Sequence, residues 1–168
     1  MSAGTTDAKL IELADAVGKV LQLSRLVLAT AESCTGGWVA QAITSIAGSS
    51  AWFDRGFVTY SNQSKQDLLG VSREALENYG AVSEPVVKAM VDGALARSRA
   101  DVALAITGIA GPDGGTPEKP VGTVWIAWQR KTASVAVRRA HFAGDRAAVR
   151  WQAVAGALSG LLEYLESH

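Results

Sequence analysis

The sequence is short of the residues that staple a chain, hold a metal or cross a membrane. It has one cysteine, Cys34, and two histidines, His141 and His168. A lone cysteine excludes an intrachain disulfide, and so few Cys and His side chains exclude a structural zinc site built from them. Such usage fits a reducing compartment. Sixteen basic residues balance sixteen acidic ones with no block of like charge, so the positive footprint needed on a phosphate backbone is missing and nucleic acid is not an expected partner. No apolar run approaches the roughly 18 residues of a membrane span. The N-terminal MSAGTTDAKL is polar and has no apolar signal-like stretch. The expectation is a cytoplasmic protein with no membrane partner.

What is present is the length and patterning of one α/β domain spanning 1–168. From Thr6, read as an N-cap, apolar residues at helical spacing (Leu10, Leu13, Ala14, Val17, Val20, Leu21) predict a helix to about Ser24. Leu26 to Thr30 reads as a buried strand, Thr35-Gly36-Gly37 as a tight turn, and the residues to about Ile46 as a helix. Trp52 to Tyr60 predicts a second strand, and Ser61, Ser72 and Ser83 each stand where a helix can be capped, ending near Leu69, Gly80 and Arg97. Val102 to Thr107 is strand-like, Val121–Trp128 and Ser134–Phe142 resemble an antiparallel pair, and a helix from about Asp145 to Glu166 closes the chain. Helices alternating with strands, then a hairpin, predict a layered α/β domain whose sheet is mixed rather than all parallel. The stretch from Gly108 to Gly122 is longer than most ordered connections, and its glycines point to function.

Ser33 stands where a strand ends and a glycine turn opens a helix, which exposes its hydroxyl and brings backbone N–H groups near, as an oxyanion hole requires. The plainer reading is a helix cap, although Thr35 could cap the same helix and free Ser33. Cys34 is the rival nucleophile, or a small buried apolar residue. Neither histidine sits in a recognisable triad context, which leaves serine–lysine pairing. Lys65, early in the helix after the second strand, can project toward the same sheet edge, or be a solvated surface charge. TGIAGPDGG (Thr107 to Gly115) leaves a strand into a loop whose bare backbone can approach an anion, but it matches neither the P-loop nor the dinucleotide fingerprint. Lys119 and Arg146 are candidate phosphate partners, Arg146 at a predicted helix N-terminus.

Taken together, AESCTGG (Ala31 to Gly37), GFVTYSNQSK (Gly56 to Lys65), LGV (Leu69 to Val71), GAVSE (Gly80 to Glu84), TGIAGPDGG, KPVGTVW (Lys119 to Trp125) and FAGDRAAVR (Phe142 to Arg150) resemble the CinA C-terminal domain family over nearly the whole chain. The resemblance implies a three-layer α/β/α sandwich with a mixed sheet, no metal or organic cofactor, and a homo-oligomer, a dimer first. It also implies the stand-alone form, without the molybdopterin-binding-like domain that precedes this one in other members. The implied reaction converts nicotinamide mononucleotide to nicotinic acid mononucleotide and ammonia. Ser33 would be the nucleophile, Lys65 the base and Tyr60 a relay or orienting group. Cys34, Thr35, Gly36, Gly37, Thr107, Gly108 and Arg146 would meet the substrate, the turn from Cys34 to Gly37 supplying the oxyanion hole. Trp38 stands where a smaller aliphatic residue is usual, and Ile46-Ala47-Gly48 lacks a common proline. Two other classes remain: a nucleotide-binding module without turnover, and a Ser–Lys amidase acting on another small amide.

Overall fold

Side-chain size along the strands decides how closely each helical layer approaches the sheet. The computed structural model describes residues 3–168. Five strands pair in the order β2 (Phe53–Val58), β1 (Leu28–Glu32), β3 (Val102–Gly108), β4 (Thr123–Arg130) and β5 (Ala136–His141). β1 is parallel to β2 and β3, whereas β4 is antiparallel to β3 and β5 to β4. The sheet is mixed, as the late hairpin predicts. Alternation along the strands sends Leu28, Val102, Leu104, Ile106, Val124, Ile126 and Trp128 to one face. There they are buried with α1 (Ala3–Ser24), α2 (Trp38–Thr44) and α6 (Arg146–Ser167). The other face is nearly all methyl groups: Ala29, Ala31, Ala103, Ala105 and Ala127 pack with Val86, Val87, Met90, Val91 and Ala94 of α5 (Glu84–Ala96). The result is a three-layer α/β/α sandwich.

Several helix ends follow their caps. Ser61 opens α3 (Asn62–Leu69) in a reciprocal capping box with Ser64, and Gly70 closes it in the left-handed region. Ser72 accepts from Ala75 at the head of α4 (Arg73–Tyr79), and Asp145 accepts from Ala148 at the head of α6. Other ends correct the sequence reading. α1 starts at Ala3, so Thr6 lies inside it and is not its N-cap. Ser83 precedes α5 without capping it, because its hydroxyl donates to Gly80 O. α2 is capped by Gly37 rather than by Ser33 or Thr35.

This topology places the site. β1 leads through α2 to β2, while β3 lies on β1's other flank, so the carboxyl ends of β1 and β3 form a switch point where open α/β sheets bind ligands. The segment after β3 is tied at its base by Ile109 N–H donating to Thr123 O and Gly122 N–H to Ile109 O. α3 is held to α5 by a close approach, since a Cβ at Gly93 would overlap the Leu69 carbonyl. Gly93→Ala must therefore push α3 off α5 and lose about 1–3 kcal/mol of stability. Gly156→Ala offers the opposite sign: its Cβ would meet Phe142 and Ile126 side chains at 3.5 and 3.6 Å, an ordinary contact. Up to about 1 kcal/mol of helix propensity is gained there. Urea titration of both variants checks the pair.

Candidate active site

Ser33 is the first residue past β1, pinned there by its own N–H donating to Ile106 O of β3 at 3.0 Å. Gly36 and Gly37 then take φ of 62° and 99°, a left-handed turn that other residues enter at a cost. With Gly37 as its N-cap, α2 has no capping side chain of its own. Glu32 fills that role from the end of the strand, buried, accepting from Val39 N–H at 2.9 Å, Ala40 N–H at 3.1 Å and the Thr35 hydroxyl at 2.7 Å. Burial pushes the Glu32 carboxyl up from its ordinary value, against the opposing pull of these hydrogen bonds. Thr35 is thereby committed to Glu32, and the Ser33 hydroxyl is free to serve elsewhere.

It meets Lys65. The β1–β2 pairing continues one step beyond β2, where Thr59 N–H donates to Glu32 O, and the Ser61 cap then starts α3 so that Lys65 points back under the strand ends. Lys65 is 1% exposed. Its Nζ donates to Ser33 Oγ at 2.9 Å and to Thr59 O at 2.6 Å, and among the described residues no carboxylate pairs with it. Burial of the ammonium lowers its pKa from 10.5 to about 8. In the neutral amine the Thr59 carbonyl retains one N–H, which leaves the lone pair for the Ser33 proton. Cys34, the rival nucleophile, is buried and its pKa is pushed up to about 11, so it is a thiol near neutral pH.

The pair opens on a cleft of about 200 Å³ whose lining includes Tyr60, Asn62, Thr107, Gly108 and Arg146. Cys34 also lines it, while Thr35, Gly36 and Gly37, expected to meet the substrate, are not in the lining. The Thr107 hydroxyl donates to Ala81 O at 2.9 Å, which ties the end of β3 to the segment before α5. Tyr60 is 62% exposed, and its hydroxyl accepts from Arg146, which also donates to Gly111 O. Arg146 thus bridges both lips. Lys119 donates to Tyr79 O and is not in the lining, and neither histidine is. Among the described residues no three His, Cys, Asp or Glu side chains gather as a metal site would need.

Three participants carried no role in the sequence reading, Glu32, Thr59 and Arg150, and Asn62 was read only with Ser61 as a helix cap. Arg150 Nε donates to Cys34 O at 3.0 Å and a terminal nitrogen donates to Thr35 O at 3.2 Å, with the guanidinium 5.4 Å above the Trp38 ring. Its position one turn beyond Arg146 was the available signal. The turn's amides are unequally free. Gly36 N–H donates to Ser33 O and Gly37 N–H faces Glu32, whereas those of Cys34 and Thr35 have no partner in another described residue. Of the four amides from Cys34 to Gly37, these two are the ones not committed to another described residue.

Comparison with known proteins agrees with the motifs. A nicotinamide-nucleotide amidohydrolase, PncC, of Escherichia coli K12 is 58% identical over 156 residues, 93% of this chain and 94% of its own length. The protein of the same name from Pseudomonas putida is 54% identical, covering 90% of this chain and 94% of its own. Among solved structures, a competence/damage inducible protein, CihA, from Agrobacterium tumefaciens superposes with a TM-score of 0.90 at 46% identity, over 94% of this chain and 96% of that one. The family model for the CinA C-terminal domain matches residues 10–165, and the chain belongs to that family.

Proposed function

We propose that this protein is a nicotinamide-nucleotide amidohydrolase that converts nicotinamide mononucleotide to nicotinic acid mononucleotide and ammonia through a Ser33–Lys65 pair. The observation that carries the reading is a buried lysine without a counter-ion among the described residues, 2.9 Å from a serine hydroxyl at the mouth of a cleft. The substrate comes from the relatives' names and from the strength of their identity. Neutral Lys65 takes the Ser33 proton as Oγ bonds to the carboxamide carbon, and the Cys34 and Thr35 amides receive the negative oxygen. Collapse of that intermediate breaks the C–N bond, and Lys65 returns the proton to the departing ammonia. Water then attacks the ester, giving a proton to Lys65, and release of the acid restores the Ser33 hydroxyl. The scheme needs no metal or organic cofactor. Tyr60 orients the amide end from the rim, and Arg146 takes the phosphate: its two internal bonds leave other donors of a five-donor group for an anion. A single domain spanning 1–168 and a cytoplasmic homo-oligomer, a dimer first, belong to the same reading. No helix of the described residues is long and apolar enough to cross a membrane.

Ammonia release from nicotinamide mononucleotide is the direct test. Ser33→Ala is expected to abolish it while the fold survives, and Cys34→Ala to leave it near normal; a Ser33→Ala enzyme with most of its turnover refutes the nucleophile assignment. Arg146→Ala is expected to lose roughly 10- to 100-fold on the mononucleotide and much less on the phosphate-free riboside, as removal of a charge-assisted contact does. Equal losses on both would assign Arg146 to structure or to the ribose.

The pH dependence follows from Lys65. With a folded pKa of about 8, the active amine forms as pH rises, so the rate should climb to half its plateau near pH 8. Lys65→Arg, which cannot supply a neutral base, should be nearly as inactive as Lys65→Ala. Stability obeys the same sign. The fold disfavours the ammonium relative to the unfolded chain at 10.5, so folding is penalised below pH 8 and relieved as pH rises toward 10.5. Relative to Lys65→Met, the wild type should gain about 3 kcal/mol between pH 7 and pH 10.5 in denaturant titrations.

A further inference from the structure

We infer that Arg150 is a positioning residue for acyl transfer, holding the turn so that its free amides face the oxyanion; the inference rests on the Ser33 reading above. Arg150 reaches the turn from α6, more than a hundred residues away in sequence, and donates to two successive carbonyls, Cys34 O and Thr35 O. Among the described residues no carboxylate pairs with it. The Trp38 ring beneath the guanidinium limits its swing. The guanidinium lies against the Gly36 end of the turn, where a Cβ would stand 3.6 Å from one of its nitrogens, an ordinary contact.

The two carbonyls are not equivalent. Thr35 O also accepts from Trp38 N–H, whereas Cys34 O has Arg150 as its one partner among the described residues. In a trans peptide the C=O and the following N–H point in opposite directions. Arg150 therefore sets the orientation of the Cys34–Thr35 peptide, and directs the Thr35 N–H away from α6. That N–H is one of the two turn amides without a partner in another described residue. A cation on the carbonyl also polarises the peptide and strengthens its N–H as a donor. Glu32 anchors the other end of the same turn through Thr35 and the head of α2, so the turn is gripped from both sides. Charge development on the substrate oxygen is confined to the transition state, so the effect belongs to kcat rather than to substrate binding.

The test measures ammonia release from nicotinamide mononucleotide across pH for the wild type, Arg150→Met, Arg150→Lys and Arg150→Ala, each confirmed folded by near-UV circular dichroism. Arg150→Met is expected to lower kcat about 100-fold, the scale of losing one oxyanion donor, with KM little changed. The half-rise should remain near pH 8, because Lys65 owes its lowered pKa to burial and not to Arg150. Arg150→Lys, which reaches one carbonyl, should fall between. Guanidinium ion at low concentration should restore turnover to Arg150→Ala, and methylammonium should not. Unchanged kcat, a loss confined to KM, a lysine variant equal to wild type, or no guanidinium rescue would each overturn the inference. If Arg150→Met does not fold, the lysine variant and the rescue decide. A wild type that releases no ammonia removes the Ser33 reading, and the inference with it; an active wild type with indifferent Arg150 variants removes the inference alone.

Discussion

A carboxylate buried at the end of the second strand from the sheet edge is the constraint on which the site depends. Glu32 sits where α2 would otherwise present unpaired amides, and it accepts from two of them and from Thr35. A helix head left without a capping side chain, beside a turn that needs two left-handed glycines, has little to hold it in one conformation. The carboxylate supplies both the acceptors and the negative charge that a helix N-terminus favours. Its burial is costly, as its raised pKa records, and the hydrogen bonds offset that cost. Ser33 inherits its position from this arrangement, one residue earlier than the turn.

Strand alternation then keeps two chemically opposed groups apart. Glu32 shares the face of Leu28 and Thr30 and turns toward α2, whereas Lys65 arrives from α3, the helix packed on α5 beyond the opposite face. Were the acid to face the amine, an ion pair would form, and the lysine would stay protonated. The backbone carbonyl of Thr59 replaces a carboxylate as Lys65's second acceptor, satisfying an N–H without holding the charge. A buried amine and an anchoring acid thus both stand close in space to Ser33, with the sheet between them.

Much of this was legible in the sequence because it is local. Ser61, Ser72 and Asp145 cap the helices that follow them, and the run of strand, glycine turn and helix around Ser33 reads directly. The pairing of Lys65 with Ser33 was legible in outline, since β2 and α3 return the chain to the end of β1. What escaped reading depends on partners distant in sequence. Ser83 and Thr35 look like caps, but their hydroxyls are taken by the Gly80 carbonyl and by Glu32. Glu32 in a strand reads as a residue facing solvent, and nothing local says that a helix will close over it. Arg150 is a charge on a helix until α6 is folded across the turn, and the Thr59 carbonyl has no side-chain signature at all.

The methyl-lined face of the sheet helps to set the basicity of Lys65 from a distance. Alanines let α5 sit deep, Gly93 lets the Leu69 end of α3 sit deep against α5, and Lys65 lies one helical turn before Leu69. Thickness accumulates through that stack. Any bulk added at Ala103 or Ala105 lifts two helices in series, admits water to the amine and returns it toward ordinary lysine basicity. The lowered basicity of Lys65 is therefore a dimensional tolerance, held by side chains whose contribution is their smallness.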